Sequence, residues 1–115
     1  MDILCPALVR EMALHALSAP GLEVCGLVYP DRYVPLPNVS PAPGLSFEAG
    51  PRALAAALFR YGEPAAVFHT HPGGDAEPSA ADFLSYYYNS ITIIGIWKSG
   101  RLSLIPHSEF HIPLS

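Results

Sequence analysis

The chain has 115 residues, half of them apolar, so we expect residues 1–115 to form a single domain around one hydrophobic core. The net charge is −4 with only six lysines and arginines, which argues against binding to nucleic acid or to an anionic membrane. No apolar run reaches the roughly 18 residues that cross a bilayer, and no secretion signal is visible, so the cytosol is the expected compartment. Cys5 and Cys25, the two cysteines, are expected to be reduced.

The first half of the chain is predicted to contain two helices and two strands. Residues 6–18 have an apolar stripe with His15 on the opposite, polar face, which indicates an amphipathic helix. Residues 22–29 are rich in valine and leucine, which predicts a strand, and residues 31–39 can form a second strand that their prolines confine to a sheet edge or a bulge. Residues 51–61 are predicted to form the second helix, with proline in the first turn and glycine after the last. The apolar stripe of the first helix comprises Leu8, Val9, Met12, Ala13, Ala16 and Leu17.

The second half adds three strands and one helix. Residues 65–71 are predicted as a strand and residues 79–88 as a third helix. Residues 91–97 are apolar at nearly every position, which is typical of a central strand covered on both sides. Residues 101–105 alternate in polarity after a Ser-Gly turn and complete a hairpin, whereas residues 106–115 carry no clear pattern. The order α-β-β-α-β-α-β-β predicts an α/β domain with a mixed sheet flanked by helices.

The chemically informative stretch is His69-Thr-His71-Pro, followed after six residues by Ser79-Ala-Ala-Asp82. Residues two apart on a strand point to the same face, so the two imidazoles project side by side. Such a pair can bind zinc, and a helix that begins at Ser79 can return Asp82 as a third ligand. Three protein ligands with one open position are typical of a catalytic zinc site rather than a structural one.

Each of these residues also has a structural interpretation. A histidine on a strand is commonly a packed or a surface residue, and a His-x-His pair arises easily by chance. Ser79 and Asp82 have the spacing of a helix capping box. Glu23 interrupts an apolar run, so it either is buried with a partner or a function, or lies exposed at the end of a strand.

Together, these segments resemble the JAMM motif of JAB/MPN metallopeptidases. Glu23 in Glu-Val-Cys-Gly-Leu-Val, the His-x-His-Pro run and Ser-x-x-Asp match every element of that motif. The resemblance implies a JAB/MPN domain with a cytidine-deaminase-like layout and one zinc ion per chain, held by His69, His71 and Asp82. It further implies that Glu23 is the general acid/base for a zinc-activated water and that Ser79 stabilises the oxyanion.

Within that motif, the resemblance gives Thr70 and Pro72 a role in holding its shape, without binding metal. A non-catalytic scaffold is the alternative to an enzyme. Two other zinc hydrolases are excluded, because the chain lacks both the His-x-Glu and Pro-Cys-x-x-Cys segments of deaminases and a His-Glu-x-x-His helix.

A narrower resemblance concerns the substrate. Residues 33–40, Phe47-Glu48 and residues 77–82 resemble the JAB domains of phage tail assembly proteins of the lambda K type. Small bacterial JAB proteins that trim ubiquitin-like sulfur carriers are also similar. The expected partner is therefore a peptide or protein substrate, either a ubiquitin-like protein or a tail protein, with a virion-associated location in the second case. The scaffold alternative is a structural tail subunit with a zinc-stabilised MPN fold, and the oligomeric state is left open.

Overall fold

A computed structural model describes residues 5–44, 48–71, 91–98 and 101–107 of the chain. Within these ranges, two helices and five strands build the predicted α/β domain with a mixed sheet. The third predicted helix, over residues 79–88, lies outside the described residues. The elements in chain order are α1 (Pro6–Leu17), β1 (Cys25–Tyr29), β2 (Arg32–Leu36), α2 (Pro51–Tyr61), β3 (Ala66–His71), β4 (Ile91–Lys98) and β5 (Arg101–His107).

The five strands form one sheet in the order β2-β1-β3-β4-β5. β3 and β4 are parallel, and the other neighbouring pairs are antiparallel. β2 lies at an edge, as predicted, where Pro35 can do without an N–H for a further strand. β4 is an inner strand with Ile93, Ile94 and Ile96 all buried, which confirms the prediction of a covered strand. β5 continues to His107, two residues beyond the predicted end.

The sheet separates two apolar clusters, because successive side chains of a strand point to opposite faces. We call the sheet surface against which α1 packs the α1 face, and the surface against which α2 packs the α2 face. The α1 face gathers Leu8, Met12, Ala16, Val24, Val28, Tyr33, Ala66, Phe68 and Ile93, and the α2 face gathers Cys25, Leu27, Tyr29, Leu36 and Ala57.

Proline and glycine set the helix boundaries. Each helix has proline in its first turn, where the missing N–H costs nothing, and α2 covers the predicted residues. Gly62 ends α2 with φ of 81°, a conformation that glycine adopts without steric cost. In the part of the chain that the structure describes, neither helix is long and apolar enough to cross a membrane.

The C-terminal half of α1 differs from the prediction at two residues. Leu17 was expected in the apolar stripe but is 59% exposed, because it is the last helical residue. His15 was expected on the polar face but is half-buried, with Nδ1 2.6 Å from the hydroxyl oxygen of Tyr33 on β2. Burial lowers the pKa of His15, because an apolar environment disfavours the charged ring.

Two phenylalanines provide a test of the core. Phe68 is fully buried and its ring meets Tyr33 edge-on at 5.8 Å, whereas Phe59 on α2 is 94% exposed. We expect Phe68→Ala to lower the free energy of unfolding by about 3–5 kcal/mol through lost burial and the cavity left behind. Phe59→Ala, the matched control, should change it by less than about 0.5 kcal/mol. Urea unfolding of both variants measures this, and equal losses would contradict the described packing.

Candidate active site

The two histidines of the His-x-His motif lie side by side at the end of β3. Their ring centroids are 5.0 Å apart, and their Nε2 atoms are 3.2 Å apart. His69 is buried and His71 is half-buried. Both rings project from the α2 face, since the preceding Phe68 belongs to the cluster on the α1 face. Strand alternation thus brings the two imidazoles together, as the spacing predicts.

The distance between the two Nε2 atoms fits two ligands of one tetrahedral ion. Zinc–nitrogen bonds of about 2.0–2.1 Å at tetrahedral angles separate the two nitrogens by roughly 3.3 Å. The observed 3.2 Å is close to this value. Without metal, the same distance allows one Nε2–H to donate a hydrogen bond to the other ring. The two side chains therefore fit a zinc ion, and zinc binding stays a prediction.

The remaining predicted ligand is Asp82, which lies with Ser79 outside the described residues. Among the residues that are described, no group of three or more His, Cys, Asp or Glu side chains could hold a metal ion. A zinc ion held by His69 and His71 therefore needs a third protein ligand from elsewhere, and the sequence assigns that position to Asp82. The roles of Asp82 as ligand and of Ser79 as oxyanion donor stay predictions beside the helix-capping alternative.

Glu23 lies on the same face of the sheet as the histidines. The antiparallel register of β1 and β3 pairs Cys25 with His69 at the end of the ladder. Glu23 lies two residues before Cys25 and His71 two residues after His69, so an antiparallel register continued beyond the ladder would place Glu23 opposite His71. Val24 points into the cluster on the α1 face, which leaves Glu23 directed to the α2 face. Glu23, which precedes the two histidines by 46 and 48 residues, thus lies at the same end of the β1–β3 pair as they do, and its role beside them stays a prediction.

Glu23 is buried, with 5% of its surface exposed, so the alternative of an exposed residue at the strand end is wrong. A buried carboxylate requires a cation or hydrogen bonds, which suits a position beside a metal site. Burial and the charge of Glu23 raise the pKa of the Cys25 thiol to about 12. That thiol lies 3.9 Å from the carbonyl oxygen of Leu36, to which it can donate. The Cys25 thiol is therefore neutral at physiological pH in the chain as described.

Four hydrogen bonds hold the backbone of Glu23 and Val24. The Val24 N–H donates to Oγ1 of Thr70 at 3.0 Å, and the Thr70 N–H donates to the Val24 carbonyl at 3.1 Å. The Glu23 N–H donates to the carbonyl of Pro43 at 2.7 Å, and the Glu23 carbonyl accepts from Nδ2 of Asn38 at 2.8 Å. Thr70 thus ties the chain at Glu23 directly to the strand that carries the histidines.

Sequence reasoning missed Asn38. Its only local signal is that asparagine after proline is typical of a turn, in which the side-chain oxygen accepts an N–H two residues on. That bond is present, from the N–H of Ser40 at 3.0 Å. The bond to Glu23, which lies 15 residues earlier, has no signal in a single sequence because it depends on how two strands pair.

Known proteins that are similar to this chain show its family. The family described as prokaryotic homologs of the JAB domain matches residues 6–105. The chain belongs to the JAB/MPN family. A relative from Thermus thermophilus, described as a probable TtuB-protein conjugate cleaving protease, is 41% identical over 110 residues, which cover 89% of this chain and 74% of the relative. The solution structure of a protein from Desulfitobacterium hafniense superposes with a TM-score of 0.69 at 27% identity, covering 86% of this chain and 77% of that one.

Membership of the JAB/MPN family confirms the resemblance drawn from the motif, and the similar solved structure supports the α/β fold. The roles of the individual motif residues stay predictions, as does the narrower resemblance to phage tail assembly proteins.

The side chain of Thr70 provides a test of the link between β3 and the Glu23 segment. Thr70→Val keeps the shape but leaves the buried Val24 N–H without its acceptor, so we expect a loss of about 1–3 kcal/mol in unfolding free energy. Thr70→Ser keeps the hydroxyl and should lose no more than about 1 kcal/mol. Chemical denaturation compares them, and a valine variant as stable as the native protein would refute the link.

The environment of Cys25 can be tested by thiol labelling. Cys25 is buried and its pKa is raised, so it should react with a disulfide reagent only after unfolding. In a Cys5→Ser variant, which removes the half-buried second thiol, we expect no labelling at pH 8 until denaturant is added. Rapid labelling of the native variant would show that the thiol is accessible or ionised.

Proposed function

We propose that this JAB-family chain is a zinc-dependent peptidase that cleaves peptide or isopeptide bonds between a ubiquitin-like protein and its target. The observation that carries the proposal is the 3.2 Å approach of the Nε2 atoms of His69 and His71, on the face where Glu23 is buried. The choice of substrate is supported by the Thermus thermophilus relative, described as cleaving a protein conjugate.

The three predicted ligands, His69, His71 and Asp82, would hold the metal ion. A zinc ion supplies Lewis-acid chemistry when bound, because it makes water acidic near neutral pH and polarises a carbonyl group. Burial of His69 limits its rotation and favours one ring orientation. His71 is half-buried.

Glu23 performs the proton transfers in this proposal. Its carboxylate accepts a proton from the attacking water as the new C–O bond forms, and it returns that proton to the leaving nitrogen as the C–N bond breaks. The fixed backbone of Glu23 suits this role, since a general base must stay within hydrogen-bonding reach of the proton that it moves. Ser79 would donate a hydrogen bond to the oxyanion that forms between the two transfers.

The replacement Glu23→Gln tests the proposal. We expect this variant to retain one zinc ion per chain while its turnover falls by roughly 10²–10⁴, the usual contribution of a general acid/base. Glu63→Gln, at an exposed glutamate after α2, is the matched control and should leave both quantities unchanged. Metal analysis and cleavage of a ubiquitin-like protein joined through an isopeptide bond to a lysine peptide measure the two quantities, with a phage tail peptide as the second substrate.

Three outcomes are informative in this experiment. A Glu23→Gln variant with native turnover removes Glu23 from the mechanism. A native chain that binds zinc but cleaves no substrate favours the scaffold alternative. Zinc binding that survives His69→Ala together with His71→Ala shows that the metal is held elsewhere.

A further inference from the structure

We propose that Asn38 is a positioning residue for Glu23, whose backbone it holds in place through its side-chain amide. The inference deepens the proposed function and rests on it, because Glu23 is there the general base. Asn38 does not belong to the motif from which the site was predicted. The support for this role comes from the hydrogen bonds around Glu23.

Among the residues that the structure describes, the side-chain amide of Asn38 bonds to three backbone groups. Nδ2 donates to the carbonyl of Glu23 at 2.8 Å, and Oδ1 accepts from the N–H groups of Ser40 and Glu48, each at 3.0 Å. These partners fix the orientation of the amide, because two N–H groups require the oxygen and the carbonyl requires the nitrogen. A flipped amide would break all three bonds at once.

Asn38 provides a side-chain hydrogen bond just beyond the end of the β1–β2 ladder. The register pairs Cys25 with Leu36. Glu23 lies two residues before Cys25 and Asn38 two residues after Leu36, so the two residues come together just beyond the ladder. At this position the Glu23 carbonyl is met by the side chain of Asn38. On the other side, the hydroxyl of Thr70 meets the N–H of Val24 in the same way. The side chains of Asn38 and Thr70 thus hydrogen-bond to the backbone that precedes β1, beyond the last paired residues of the sheet.

We call the Asn38 side chain with its hydrogen bond to Glu23 the clamp, and contacts with the segment before α2 hold Asn38 in place. Asn38 forms a β-bridge with Ala49, and the Val39 N–H donates to the carbonyl of Glu48 at 2.8 Å. Asn38 follows the end of β2 by two residues, and Ala49 precedes the start of α2 by two. The amide of Asn38 therefore fixes the backbone of Glu23 relative to β2 and α2. Since misplacement by about 1 Å can cost about 10²-fold in rate, loss of this bond should lower turnover.

The variant Asn38→Asp removes one bond of the three. Aspartate has nearly the same shape and keeps an oxygen for Ser40 and Glu48, but it has no N–H for the Glu23 carbonyl. We expect kcat to fall by about 10- to 100-fold while KM changes by less than about twofold, as expected when only the base is misplaced. Asn38→Ala removes the donor without adding charge and should show the same division between kcat and KM.

Ser40→Ala is the matched control within the same loop. It removes the bond in which the Ala42 N–H donates to Oγ of Ser40 at 3.1 Å, without touching the bond to Glu23. We expect its kcat to stay within about twofold of the native value. Native kcat in Asn38→Asp, a change confined to KM, or an equal loss in Ser40→Ala would overturn the role of Asn38.

Amide hydrogen exchange provides a readout that does not depend on activity. In Asn38→Asp and Asn38→Ala, we expect exchange of the Glu23 and Val24 N–H groups to accelerate by about tenfold or more, with β4 unchanged. If the native chain cleaves nothing, the proposed function fails, and exchange alone then decides about Asn38. Accelerated exchange confined to Glu23 and Val24 supports the clamp, and unchanged exchange overturns it.

Discussion

The site depends on one antiparallel pairing, that of β1 with β3. This pairing joins two segments that are distant in the sequence and sets Cys25 opposite His69, so that Glu23 and His71 follow at the same end of the pair. Its register also decides the face, because a slip by one residue would turn Glu23 away from both imidazoles and into the cluster on the α1 face. The buried Phe68 and Val24, which alternate with the site residues, oppose such a slip, since their burial requires the observed register.

Beyond Cys25 the sheet no longer provides a regular ladder on either side, and two side chains replace it. Thr70 meets the backbone of Val24 from β3, and Asn38 meets that of Glu23 from the loop after β2. A buried carboxylate is costly unless a cation or hydrogen bonds meet the carboxylate itself, and in the proposed function a zinc ion would be that cation. The hydrogen bonds on both sides hold the backbone of Glu23, and they give the proposed base a fixed position.

Local signals predicted much of the fold. The bounds of α2 were predicted correctly because proline and glycine act within their own turns, and β4 was recognised because its apolar run needs cover on both faces. The pairing of His69 with His71 followed from strand alternation alone. The contact of His15 with Tyr33 and the bonds of Asn38 were missed, since each depends on which elements pack together. The motif resemblance groups Glu23 with the histidines, which no local pattern could do, and their joint role stays a prediction.

In the proposed function, His69 and His71 bind one zinc ion through Nε2 while Glu23 faces that ion without binding it. A crystal structure of the zinc-loaded protein, with anomalous diffraction measured on both sides of the zinc absorption edge, tests this most directly. We expect one anomalous peak between the two Nε2 atoms, at about 2.0–2.1 Å from each, with the Glu23 carboxylate beyond bonding distance. A peak elsewhere, or a Glu23 side chain turned to the opposite face of the sheet, would contradict it.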